Sequence, residues 1–150
     1  DRVKNIKKDL ENLGLEVHVH EPKKKIKKNT DIYIVNAYGK TKSFYSNCKN
    51  IFLGGSLIKH GGQNPLEATR FGCKILHGPN VSNFKEIYNF LKKNKVSNQI
   101  KTQSRMISEL QKLFNKKSGS KKILKKFDLI GRNILQKTFN EINLSLKNEI

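Results

Sequence analysis

No run of about 20 consecutive apolar residues occurs anywhere in this 150-residue chain, so nothing in it reads as a membrane-spanning helix. An initiator Met and a signal-peptide pattern are also missing. The chain opens on Asp1-Arg2 in what already reads as a helix, which suggests a piece of something longer. There is no internal repeat, and the length suits one domain with a sizeable core. Cysteine is scarce: Cys48 and Cys73 stand alone without metal-ligand spacing, which makes a reduced compartment and structural thiols the default. The four histidines form no metal constellation. His18 and His20 alternate with Val17 and Val19 on an expected strand, and the face they share reads as solvated. Acidic residues are few, 12 against 31 Lys and Arg, for a formal net charge of +19. Such an excess favours nucleic acid, an anionic membrane face or phosphorylated substrates. Lysine nevertheless accompanies abundant asparagine throughout, the bias of an AT-rich genome. Its clusters, residues 23–28 and 116–126, read as solvated surface.

What is present is an alternation of strands and helices. Val3, Ile6, Leu10 and Leu13 give a helical period closed by Gly14. Val17 to His20, Ile32 to Val35, Ile51 to Gly54 and Cys73 to Leu76 read as strands, and Val96 to Ile100 as a last short one. Between them fall a helix from Lys40 to Asn47, one from Pro65 to Phe71 ended by Gly72, and one capped by Ser82 or Asn83 that carries Phe84, Ile87, Tyr88 and Leu91. Thr102 caps a further helix with Met106, Ile107, Leu110, Leu113 and Phe114 as its apolar stripe. A linker at Asn115 to Ser120 leads to a long final helix, Lys121 to Leu146. The apolar stripes read as core. Helical crossovers between strands predict an α/β fold with an open, mostly parallel sheet, and in such sheets ligands sit beyond the carboxyl ends of the strands. Three turns leave those ends: Asn36 to Lys40, Gly54 to Glu67 and His77 to Asn83.

The stretch Gly54 to Ala68 is the most informative. It reads as the end of a buried strand, a glycine-rich turn, and a helix opened by Asn64-Pro65. Helix-start N–H groups and the positive end of the dipole attract anions. Gly61 and Gly62 have no side chain to hold a ligand off, and Glu67 is placed to accept hydrogen bonds from sugar hydroxyls. A nucleotide-phosphate and ribose site follows. The same Asn64-x-x-Glu67 spacing is equally that of a capping box, with the glycines merely shaping a turn.

Phe52-Leu53-Gly54-Gly55-Ser56-Leu57, Gly61-Gly62-Gln63-Asn64-Pro65-Leu66-Glu67, Gly78-Pro79 and Asn83-Phe84 together resemble the carboxyl-terminal half of the 3-deoxy-D-manno-octulosonic acid (Kdo) transferases, which add Kdo from CMP-Kdo to a lipid A precursor. The resemblance implies the carboxyl-terminal half of a GT-B glycosyltransferase: a Rossmann-like donor domain over 1–115, a linker and carboxyl-terminal helix over 116–150, and an amino-terminal acceptor domain outside the chain. It implies that Gly61, Gly62 and Asn64 lie at the CMP phosphate, that Glu67 holds the ribose, and that Ser56, Gly78 and Asn83 line the same crevice. Arg2 matches the basic residue that ends the family's Pro-Arg-His-Pro-x-Arg segment. The expected donor is CMP-Kdo, with no metal or other cofactor, and the expected partners are a lipid A precursor and the anionic inner-membrane surface, on its cytoplasmic face; no nucleic acid is expected.

Two positions depart from the family. Asn36-Ala37-Tyr38-Gly39-Lys40-Thr41 stands where Asp-Thr-x-Gly-Glu-Leu is common, and Gln63 replaces a usual His. The family's catalytic carboxylate belongs to the amino-terminal domain, so this chain is expected to bind donor without performing the inverting transfer. The first, central strand of the 3-2-1-4-5-6 order is expected to be missing, leaving a slot between Val17–His20 and Ile51–Gly54 and marginal stability. The rivals are another GT-B enzyme using a UDP- or GDP-sugar, and a basic nucleic-acid-binding module with a steep salt slope.

Overall fold

The structure is a computed structural model that describes residues 2–115 and 120–148. Residues 116–119, most of the expected linker, lie outside it. The chain divides into two compact units, Asp1–Thr41 and Lys42–Ile150.

The first unit contains α1 (Arg2–Glu11), β1 (Val17–Val19) and β2 (Ile32–Ile34). Gly14, at φ 78°, closes α1 with its N–H on the Glu11 carbonyl, as its left-handed preference predicts. β1 and β2 pair in parallel, Val17 opposite Ile32 and Val19 opposite Ile34. The solvated face expected for His18 and His20 is not found. His18 is buried, its ring meeting Tyr33 edge-on at 5.4 Å while its Nδ1 accepts the Lys27 N–H at 3.2 Å. His20 Nδ1 hydrogen-bonds the Tyr33 hydroxyl. Tyr33, in register with His18 on the neighbouring strand, supplies the ring that pattern-reading along one strand does not see.

The second unit contains α2 (Thr41–Asn47), β3 (Asn50–Leu53), α3 (Leu66–Arg70), β4 (Lys74–His77), α4 (Lys85–Lys93), β5 (Ser97–Gln99), α5 (Gln103–Asn115) and α6 (Ser120–Asn148). A single 3-10 turn, Ser82–Phe84, precedes α4. β3, β4 and β5 form a parallel sheet in that order, with Ile51 opposite Ile75 and Leu76 opposite Asn98. The five strands therefore form two parallel sheets, one of β1 and β2 and one of β3, β4 and β5.

The core belongs to the second unit: Leu53, Ala68, Cys73, Ile75, Tyr88, Leu91 and Val96 pack together, with Phe84, Ile87 and Phe127 against them. Cys73 serves this core. Its Sγ faces the carbonyls of Tyr45 and Cys48 at 3.3 and 3.2 Å, and burial, aided by Cys48, pushes its pKa up to about 11, leaving an inert thiol.

Three apolar stripes expected as core are not buried. α1 has no buried residue, and in α5 Ile107 and Phe114 remain 51 % and 75 % exposed. The buried residue of α5 is Glu109, which accepts from Asn98 Nδ2 at 2.9 Å and from Arg105 and Lys112 at 3.1 Å each. That polar anchor ties α5 to β5. Thr102 caps α5 as expected, accepting the Arg105 N–H at 3.2 Å, whereas the start of α4 has no side-chain cap from Ser82 or Asn83. α6 docks only its first half, where Phe127 meets Phe90 edge-on at 5.9 Å.

Because buried apolar contact is what protects backbone hydrogen bonds from opening, amide hydrogens of β1 and β2 are expected to exchange much faster than those of β3 and β4. Hydrogen-exchange mass spectrometry tests this; equal protection in the two sheets would contradict it.

Candidate functional site

The loops that leave β3 and β4 are joined by one side chain. Ser56, fully buried, donates its hydroxyl to the Leu53 carbonyl at 2.7 Å and accepts the Gly78 N–H at 2.8 Å. Its own carbonyl accepts the Asn80 N–H at 2.9 Å. Gly78 must be glycine for a steric reason: a Cβ there would lie 2.2 Å from the Ser56 carbonyl oxygen. Ser56 and Gly78, expected from the sequence to line a crevice, instead spend their polar groups on each other and hold the two loops at contact distance.

Gly61 and Gly62, at φ 88° and 78°, form the bend of the first loop, a conformation that residues with a Cβ rarely adopt. The Gly62 N–H returns to the Gly55 carbonyl at 3.1 Å, and the Gly61 carbonyl accepts the Asn83 N–H at 3.2 Å. A Cβ on Gly61 would stand 2.4 Å from the Asn83 side chain, and one on Gly62 would press on Val81 at 3.1 Å. Gly61, Gly62 and Asn83 are therefore one packed unit. Asn64 Oδ1 accepts the Leu66 N–H at 3.0 Å, so its side chain satisfies the first helical N–H from one residue ahead of the N-cap, Pro65. The reciprocal bond of a capping box, from Glu67, is not made among the described residues. α3 is only five residues long, with correspondingly little dipole to offer. Glu67 lies half-buried in its first turn, close enough for its charge to raise the pKa of Tyr45 after burial has done most of that.

Between the loops opens a cleft of about 650 Å³, lined by Lys59, His60 and Gly61 on one side and by Pro79 to Asn83, Lys85, Asn89 and Gln99 on the other. It sits at the carboxyl ends of the parallel strands, Gln99 being the last residue of β5. Its lining holds two lysines and a histidine and no carboxylate, a field that favours anions. Of the eight residues singled out from sequence, Gly61 and Asn83 line this cleft and Gly62 lies directly behind them. Ser56 and Gly78 form its support, Asn64 and Glu67 belong to the adjoining helix start, and Arg2 lies in the other compact unit, as does the Asn36–Lys40 turn. Lys59, His60, Lys85, Asn89 and Gln99 were not anticipated. Lys59-His60 directly before the glycine pair, and Lys85 directly after Asn83-Phe84, are signals that the lysine-rich background hides.

His77 forms the floor beneath the loops. It is buried, its ring lies 4.3 Å from that of Tyr88 at a tilt of 45°, and its Nδ1 bonds the Gly78 carbonyl at 2.7 Å. Burial lowers its pKa below 6.5, the Gly78 carbonyl opposes that, and Lys92 adds to it. Tyr88, whose pKa burial pushes up to about 12, donates to the Gln63 carbonyl at 2.9 Å. This bond ties the core to the residue after the glycine pair.

No protein-family model matches the chain. Its sequence is 36 % identical over 93 residues to the 3-deoxy-D-manno-octulosonic acid transferase of Rickettsia prowazekii, covering 62 % of this chain and 20 % of that protein. It is 38 % identical over 63 residues to the enzyme of the same name from Haemophilus influenzae, covering 42 % and 15 %. The chain thus spans about a fifth or less of the length of these relatives. The fold matches the crystal structure of the C-terminal CMP-Kdo binding domain of WaaA from Acinetobacter baumannii with a TM-score of 0.72, at 20 % identity, over 82 % of this chain and 64 % of that one. The sequence is thus similar to part of the 3-deoxy-D-manno-octulosonic acid transferases, and the α/β fold is that of the C-terminal domain of WaaA.

Ser56→Ala leaves the Gly78 N–H without its acceptor, and a loss of roughly 1–3 kcal/mol in unfolding free energy is expected from urea titration. Gly78→Ala should cost at least as much, since backbone rather than a mobile side chain blocks its Cβ; unchanged midpoints in both variants would refute the clamp. For His77 the folded-state pKa is lowered, so its stabilising contribution is complete above pH 6.5 and is lost as pH falls through the folded value. The drop in urea midpoint between about pH 7.5 and about pH 5 is therefore expected to be smaller in His77→Gln than in the wild type. An identical drop would show that His77 does not titrate in this way.

Proposed function

We propose that this chain binds CMP-Kdo, the donor from which a Kdo transferase passes its sugar to a lipid A precursor. The observation that carries the reading is the cation-lined, carboxylate-free cleft at the carboxyl ends of β3, β4 and β5, in a fold shared with a CMP-Kdo binding domain. The CMP phosphate would lie against Lys59, His60 and the backbone at Gly61, where no Cβ intervenes. As the sugar–phosphate bond breaks, charge gathers on the departing CMP, and fixed positive groups at that point stabilise the transition state. Lys59 supplies there charge neutralisation of the kind that a divalent cation provides in other transferases, so no metal is required. Glu67, on the adjoining helix, takes the ribose hydroxyls.

No carboxylate lines the cleft to deprotonate an acceptor. The chain therefore contributes donor binding and leaving-group stabilisation, and the base for the acceptor hydroxyl comes from the other half of a two-domain enzyme. A net charge of +19 suits work against an anionic bilayer and a phosphorylated lipid acceptor, which accords with the cytoplasmic face of an inner membrane.

Calorimetric titration with CMP, UDP and GDP tests the reading. CMP is expected to bind preferentially, and Gly61→Val, which strains a left-handed backbone and displaces Asn83, should weaken it by roughly tenfold or more. Glu67→Ala should weaken it too. Equal affinity for the three nucleotides would move the donor assignment to another GT-B class. Tight binding of a short DNA with a steep salt slope would replace the reading with nucleic-acid binding.

A further inference from the structure

The two walls of the cleft differ in chemistry. One is the loop wall of Lys59, His60 and Gly61. The other is built on α4 and the end of β5: Lys85 is the first residue of α4, Asn89 lies one turn on and therefore on the same face, and Gln99 ends β5. The nearby amides are engaged, Asn80 with the Ser56 carbonyl, Asn83 with the His60 carbonyl and Asn98 with Glu109. The side chains of Lys85, Asn89 and Gln99 have no hydrogen-bond or ion-pair partner among the described residues. A lysine at a helix start is also set against the helix dipole, a cost that an anion held in the cleft would offset.

A cation flanked by two free amides suits one kind of ligand. The ammonium pairs with a carboxylate, and amides both donate to and accept from hydroxyls. Resting on the donor assignment above, we infer that this wall is the subsite for the sugar acid, with Lys85 paired to the carboxylate and Asn89 and Gln99 on the hydroxyls. The phosphate remains with the loop wall. The cleft thereby reads two negative charges at once, and selects an acidic nucleotide sugar over a neutral one bearing the same nucleotide.

The experiment compares freshly prepared CMP-Kdo with CMP by calorimetric titration of the 150-residue chain, its folding checked by circular dichroism. The wild type is expected to bind CMP-Kdo roughly tenfold more tightly than CMP, the order of one charge-assisted contact. In Lys85→Met that ratio should fall to near one, and in Asn89→Ala part of the way. Lys59→Met should weaken both ligands and keep the ratio. A ratio near one in the wild type, or a ratio that survives Lys85→Met, overturns the sugar-acid subsite while CMP binding upholds the donor site. Folded protein that binds neither ligand overturns both.

Discussion

A single buried hydroxyl holds the cleft in shape. Ser56 gives its proton to the carbonyl at the end of β3 and receives the N–H that follows β4, so two loops that would otherwise diverge from neighbouring strands leave the sheet locked together. The arrangement works only because Gly78 has no Cβ, letting backbone approach backbone. Everything ligand-facing is placed relative to that contact. The Gly61–Gly62 bend packs on Val81 and Asn83, Tyr88 reaches up from the core to the Gln63 carbonyl, and Lys59 and Lys85 are left on opposite walls. Support and recognition are thus divided between different residues.

That division explains which parts of the site could be read in the amino-acid sequence. Glycines at 61, 62 and 78 are informative because each answers a backbone requirement, a left-handed bend or a close approach, and such requirements leave the same mark in any composition. Ser56 and Asn64 spend their polar groups on the backbone of the loops and do not line the cleft, since a hydroxyl or a short amide fits a local backbone bond as readily as a substrate. Lysine at 59 and 85 carries the charge of the cleft yet is invisible in a chain where every surface is lysine-rich. Only the folded arrangement separates these two from the other cations, by showing that no carboxylate shares their space.

The fold was legible for a different reason. Strand order follows from parallel crossovers, and the pairing of Val17 with Ile32 and of Ile51 with Ile75 agrees with the alternation of elements. Burial was less legible. Helical periodicity marks a face that is apolar, not a face that is covered, and the stripes of α1, α5 and the second half of α6 show no buried apolar residue among those described, while Glu109 is buried with three donors around it. His18 likewise became interior through Tyr33 on the adjacent strand.

The cleft's framework also bears on how such a sequence tolerates change. Its geometry is fixed mostly by atoms that every amino acid possesses, the carbonyls and N–H groups of the loops, and by four glycines, at 55, 61, 62 and 78, where any added carbon would collide or strain the chain. Genomic pressure toward lysine and asparagine codons can therefore rewrite most of the surface while the binding frame keeps its dimensions. The positions least free to drift are those with the smallest side chains.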